Sequence, residues 1–157
     1  MKNSQSLETE HQYVTLNIGH QLFGIPVLEV YDVLRDQHIN PIPLSPPQVA
    51  GSLNLRGRIV TAIDMRKRLG VQNAASDESE TMNVVVQFKG EMYSLIVDCV
   101  GEVMTFTASQ FEKTPTVIDP TWRNLSKGVV RLENNLMIIL DIERIFTDIT
   151  VESATAA

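Results

Sequence analysis

The chain repeats itself. FGIPVLEVYDVL, from Phe23, lies over YSLIVDCVGEVM, from Tyr93, so that Ile25 meets Leu95, Val27 meets Val97, Val30 meets Val100 and Asp32 meets Glu102. The same offset of 70 residues sets YVTLNI (Tyr13–Ile18) on NVVVQF (Asn83–Phe88), both with the period-two pattern of a strand. Farther on, GSLNLRGRIVTAIDMRKRL from Gly51 aligns without a gap on GVVRLENNLMIILDIERIF from Gly128, now at an offset of 77. The second copy therefore carries seven more residues, in the loop around Thr107 to Trp122. The chain reads as two copies of one unit of about 65 residues, a size that is marginal for a domain standing alone.

Each copy reads alike. A strand leads through a tight turn, Gly19-His20-Gln21 or Lys89-Gly90-Glu91, into a second strand, which marks a hairpin. Apolar residues then recur at Val27, Val30, Val33 and Leu34, or at Val97, Val100, Val103 and Met104, a spacing that fits a helical turn as well as an irregular strand. A proline-bearing loop follows (NPIPLSPP; TPTVIDPT), then two strands joined at RGR or ENN, then a short amphipathic helix (DMRKRL; DIERIF). Short strands, tight turns and little helix predict a mostly β fold of two small barrels, at about 13–71 and 82–148, within one domain over 12–148. The polar, aperiodic stretch VQNAASDESETM is the connector, with 72–80 exposed and tolerant of insertions; residues 1–11 and 149–157 are expected to be flexible tails.

Little in the sequence carries chemistry. A net charge of −6 argues against neutralising phosphates, and the local run of Arg56, Arg58, Arg66, Lys67 and Arg68 reads as a solvated strand end and helix face rather than a nucleic-acid patch. His11, His20 and His38 lack the spacing or cysteine neighbours of a metal site, and no catalytic or cofactor motif occurs. Asp64 and Asp141 each stand between a strand and a helix, where a carboxylate caps the helix start. Trp122 and Tyr31 are too scattered for a base-stacking platform. Cys99, the sole cysteine, sits in the apolar run SLIVDCVGEV, which predicts a buried, inert thiol whose replacement by alanine costs about 1 kcal/mol. The polar start MKNSQSLETEHQ and the lack of an apolar run near membrane-spanning length predict a cytoplasmic protein with no membrane insertion. These features describe a binding module with no enzymatic activity, no cofactor and no metal.

Taken together, FGIPVLEVYDVLR, the proline-rich loop, GSLNLRGRIVTAIDMRKRLG, VDCVGEVM and ILDIERIF resemble the CheW-type chemotaxis coupling proteins along almost the whole chain. The resemblance implies two five-stranded SH3-like barrels whose first and last segments cross between them. It also implies an adaptor at the inner face of the membrane, linking the cytoplasmic tips of methyl-accepting chemoreceptors to the histidine kinase CheA through that kinase's own CheW-like domain. By position, Arg56 of NLRG matches the arginine the family uses in coupling, and Val30, Asp32, Asn54, Val100 and Val103 fall with it on partner-binding positions. Two residues depart from the family pattern: Asp32 replaces a glutamate and Thr61 replaces a proline. A scaffold in twitching or gliding control fits the same motifs, and a small nucleic-acid-binding barrel is a more distant alternative.

Within the repeat, Arg56 meets Glu133, so the duplicated fold does not itself require an arginine there, and Arg56 should point out of the core. Leu53, Leu55, Ile59 and Ile63 meet Val130, Leu132, Leu136 and Leu140, and are expected to be held by the fold.

Overall fold

The computed structural model describes residues 10–35, 37–71 and 81–147. The connector at 72–80, residues 1–9 and residues 148–157 lie outside that description. In chain order the elements are β1 (Glu10–Ile18), β2 (Gln21–Pro26), a 3-10 turn (Val27–Glu29), β3 (Val30–Arg35), β4 (Val49–Leu55), β5 (Arg58–Asp64) and α1 (Met65–Leu69). Then come β6 (Met82–Phe88), β7 (Glu91–Val97), β8 (Cys99–Thr107), a 3-10 turn (Ala108–Gln110), β9 (Phe111–Glu112), α2 (Pro120–Asn124), β10 (Ser126–Arg131) and β11 (Leu136–Leu140). Residues 142–147 form a last helix, α3. In the first copy the stretch that fitted helix and strand equally is a single 3-10 turn and then β3, whereas in the second copy it is strand, the end of β7 and then β8. Strand β1 takes in residues 10 and 11, which the sequence reading leaves in the N-terminal tail, and pairs them with Thr107 and Phe106.

The protein is mostly β and forms two sheets, one in the order β8-β1-β2-β11-β10-β9 and the other in the order β3-β6-β7-β5-β4. Each sheet takes its first hairpin from one copy of the repeat and its last from the other, so the copies interlock. The duplication extends to the register. Val14 opposite Ile25 in β1–β2 matches Val84 opposite Leu95 in β6–β7, and Leu53 opposite Val60 in β4–β5 matches Val130 opposite Met137 in β10–β11. The parallel pairs correspond too, Ala62 with Ser94 and Ile139 with Gly24.

Burial explains the apolar runs. Val84 and Val86 face a large core shared by both sheets with Leu16, Ile18, Phe23, Ile25, Leu95 and Phe146. Val85, between them, turns to a smaller cluster inside the five-stranded sheet with Leu53, Leu55, Val60, Ala62 and Met92. The six-stranded sheet has its own inner cluster of Tyr13, Phe106, Val130, Met137 and Ile139. Strand β6 is thus apolar on both faces, and NVVVQF loses the strict alternation of a half-exposed strand.

Two glycines hold matching bulges. Gly51 and Gly128 both have φ 150°, where the registers of β4 on β5 and of β10 on β11 shift. A methyl group on Gly51 would run into the carbonyl of Asn40, which bridges to Ser52, whereas on Gly128 it would stand 3.1 Å from the Glu112 carbonyl. Gly51→Ala is therefore expected to destabilise by about 1–3 kcal/mol from the backbone alone, and by more than Gly128→Ala. Urea unfolding of the two variants measures this; equal midpoints would contradict it.

Two sequence expectations are corrected. Cys99 is exposed: it opens β8, which among the described residues lies at one edge of its sheet and pairs with β1. Its thiol should react readily with a maleimide in the native protein, and Cys99→Ala should change stability by less than about 0.5 kcal/mol. A thiol that labels only on unfolding would contradict the exposed position. Ile59 is also exposed, at 71%, while Leu53, Leu55 and Ile63 are buried. Pairing of β5 with β7 begins at Thr61, so Ile59 lies beyond the covered part of its strand.

Where the chain passes from β7 to β8, the carboxylate of Asp98 accepts two hydrogen bonds from Arg66 of α1, both at 2.8 Å, and one from the Gly19 N–H at 2.9 Å. Burial alone would raise the Asp98 pKa, but these hydrogen bonds and the positive charges of Arg66 and His20 outweigh it and hold the carboxyl below its ordinary value. A depressed folded-state pKa adds stability that is present above the unfolded value and is lost as pH falls through the folded one. Asp98→Asn should therefore lower stability at neutral pH, with the gap from wild type closing below about pH 4. Urea midpoints at pH 7 and pH 3 check this, and a gap that stays constant would contradict it.

Candidate functional site

Arg56 and Gly57 are the two central residues of the β4–β5 turn, at φ 52° and 86°. Positive φ at both positions is the signature of the type I′ turn, whose twist suits a two-residue hairpin. Gly19-His20 and Lys89-Gly90 turn the same way. Asn54 closes the Arg56 turn from below, its Oδ1 accepting the Gly57 N–H at 2.9 Å. An arginine in the left-handed region is conformationally disfavoured where Asn or Gly would be at ease, so local folding preference does not account for it.

The guanidinium reaches across to β3. Arg56 Nη2 lies 3.1 Å from Asp32 Oδ2, with the two side chains 69% and 26% exposed, and Asp32 Oδ1 accepts the Val33 N–H at 2.8 Å. Strands β3 and β4 are the two edges of their sheet, so the ion pair joins one edge to the hairpin tip beside the other. Asp32 follows a bulge: Val30 stands opposite Val86 and Asp32 opposite Val85, leaving Tyr31 as the extra residue, 56% exposed. Ile59, exposed, pairs across from Asn54. The result is an exposed arginine paired with a half-buried carboxylate, on a sheet that also exposes Tyr31 next to Asp32 in the chain and Ile59 across from Asn54. A pair this exposed adds at most about 1 kcal/mol to stability and leaves both groups reachable.

The structure thus brings Asp32, Asn54 and Arg56 together, with Val30 two residues before Asp32 on the same strand and half-buried. Val100 and Val103 lie apart from them on β8 of the other sheet, where Val103 is 52% exposed and Val100 half-buried. Since β8 is the counterpart of β3 in the second copy, the six residues fall on two equivalent edge strands and one hairpin. That hairpin's counterpart carries Glu133, and the counterpart of Asp32 is Glu102, so the second copy cannot form the same ion pair. Tyr31 and Ile59 escaped the sequence reading: Ile59 continues an apolar alternation, and only the length of the β5–β7 pairing exposes it.

The remaining polar candidates are otherwise engaged. Asp64 accepts the Arg66 and Lys67 N–H groups at 3.0 and 3.3 Å, and Asp141 accepts the Glu143 N–H at 3.0 Å, so both cap helices. Among the described residues, no three or more His, Cys, Asp or Glu side chains gather as a metal site would require. No helix there is long and apolar enough to cross a membrane.

Known proteins resemble this chain in sequence and in fold. The chain is 30% identical over 153 residues to the chemotaxis protein CheW of Thermotoga maritima, covering 97% of this chain and 98% of that one. It is 29% identical over 143 residues to the chemotaxis protein CheW of Treponema pallidum, covering 89% and 84%. The crystal structure of the scaffolding protein TtCheW from Thermoanaerobacter tengcongensis superposes with a TM-score of 0.78 at 28% identity over 88% of each chain. The family model for the CheW-like domain matches residues 12–150, which takes in β3, β8 and the Arg56 hairpin, and the chain therefore belongs to the CheW-like domain family.

Proposed function

We propose that the protein is a non-catalytic scaffold of bacterial chemotaxis, working in the cytoplasm as one unit over residues 12–148. In this reading it couples the cytoplasmic tips of chemoreceptors to the histidine kinase CheA through the kinase's CheW-like regulatory domain. The observation that carries it is the Arg56–Asp32 pair: an exposed charge held on a two-residue hairpin turn at a disfavoured φ, on a sheet that also exposes Tyr31 and Ile59. Charge beside apolar surface is what a protein interface uses to fix register and partner choice. Val30, Asp32, Asn54 and Arg56 would serve one partner surface, and Val100 and Val103 on β8 a second. The names of the relatives, chemotaxis proteins and a scaffolding protein, support the same reading.

Calorimetric titration of the protein into the isolated regulatory domain of CheA, and separately into a receptor tip fragment, tests this. Saturable binding to both is expected, weakened by salt where Arg56 takes part. Binding to neither would remove the proposal. Retention of nucleic acid in a low-salt filter assay would point to the barrel-type alternative instead.

A further inference from the structure

The chain passes between the sheets twice, and the two passages are built differently. From β2 to β3 it runs through the 3-10 turn Val27–Glu29, and from β7 to β8 through the single residue Asp98. Asp98 and Leu28 are counterparts in the repeat, as are Arg66 and Glu143. At the second passage Asp98 takes both hydrogen bonds from Arg66 and one from the Gly19 N–H, while its own N–H donates to the Asn17 carbonyl at 3.0 Å. Gly19 and Asn17 belong to the β1–β2 hairpin of the six-stranded sheet, and Arg66 to the helix that follows β5 of the five-stranded one. One carboxylate therefore ties the two sheets together, with the pair only 20% and 23% exposed. At the first passage Leu28 stands 98% exposed and cannot form such a tie. There Glu29 Oε1 is buried with no hydrogen-bond partner among the described residues, so that passage is also imperfectly satisfied.

We propose that Arg66 and Asp98 are positioning residues for coupling: their ion pair locks the passage into β8, holding Val100 and Val103 at a fixed disposition to the Arg56–Asp32 surface on the other sheet. The inference rests on the adaptor reading, because a fixed angle between two surfaces matters only to a protein that engages partners on both. A bidentate arginine–carboxylate pair suits this role, since its fork restricts orientation as well as distance. The passage at Leu28, where no such ion pair forms among the described residues, is then where the sheets shift when the lock is broken.

The test uses the full chain with Cys99→Ser and spin labels at Gln87→Cys on β6 and Lys127→Cys on β10, two exposed positions on different sheets. Asp98→Asn is expected to broaden the distance distribution between the labels and to leave the separate affinities for the kinase domain and the receptor tip unchanged. Receptor-dependent kinase stimulation should fall by about five-fold or more. Asp98→Glu, which keeps the carboxylate, should recover most of that loss. A distribution as narrow as wild type, stimulation that survives, or binary affinities that fall together with the melting temperature would each overturn the proposal. If wild type itself binds neither partner, the adaptor reading fails, and with it the claim that the lock serves coupling, whatever the label distances show.

Discussion

Arg56→Ala is expected to melt within about 0.5 kcal/mol of wild type while losing most receptor-dependent kinase stimulation. The stability side follows from exposure: among the described residues the guanidinium pairs with Asp32 at 3.1 Å while 69% exposed, and a surface pair contributes little. Alanine meets the same positive φ as arginine, so the turn neither gains nor loses. The coupling side follows from the partner. If the Arg56 charge is buried against a carboxylate in the complex, its removal costs roughly 2–5 kcal/mol of binding. Arg56→Asn separates the two effects further, because asparagine is at ease in the left-handed region and should hold or slightly raise the melting temperature while coupling is lost just the same. Leu55→Ala should show the opposite balance, since Leu55 is buried in the inner cluster of the five-stranded sheet. Melting curves beside calorimetric titrations with the kinase domain decide it. An Arg56→Ala protein that unfolds early, or binds as wild type does, would mark the arginine as structural.

Phe146→Ala should be among the most damaging single truncations, costing about 3–5 kcal/mol. Phe146 is fully buried on α3, which follows β11 of the six-stranded sheet, yet its ring lies 4.2 Å from Tyr93 and 5.3 Å from Phe88, centroid to centroid, on strands of the five-stranded sheet. Its cavity would open in the core that both sheets share. Both sheets should then unfold in one transition at a lower denaturant midpoint, because neither has an independent core of that size. Two separate transitions in the variant, reported by probes on the two sheets, would contradict the shared-core account.

Much of this was legible in the sequence because duplication doubles every signal. The gapless match from Gly51 to Gly128 gave the hairpins and both capped helices, and the structure adds that the register and the glycine bulges repeat as well. What the pattern could not show is the cover over each strand. Cys99 and Ile59 sit in runs that read as core, and they are exposed because β8 is an edge and because β5 pairs with β7 only from Thr61 on. Arg56 could be marked as outward-facing from its mismatch with Glu133, but its contact with Asp32, 24 residues away, depends on the edges of a sheet coming together. The Arg66–Asp98 tie was likewise hidden: an acid within SLIVDCVGEV is visible, but its partner across the sheets is not.

The proposed function requires this chain to bridge two partners at once. Its most direct test is co-sedimentation of CheA with receptor-bearing membranes, with the protein left out, added as wild type, or added as Arg56→Ala. The kinase is expected to pellet with the membranes in proportion to added wild-type protein, and the Arg56 variant, equally folded by its melting curve, to carry down far less. Kinase that pellets to the same extent in all three cases would contradict it.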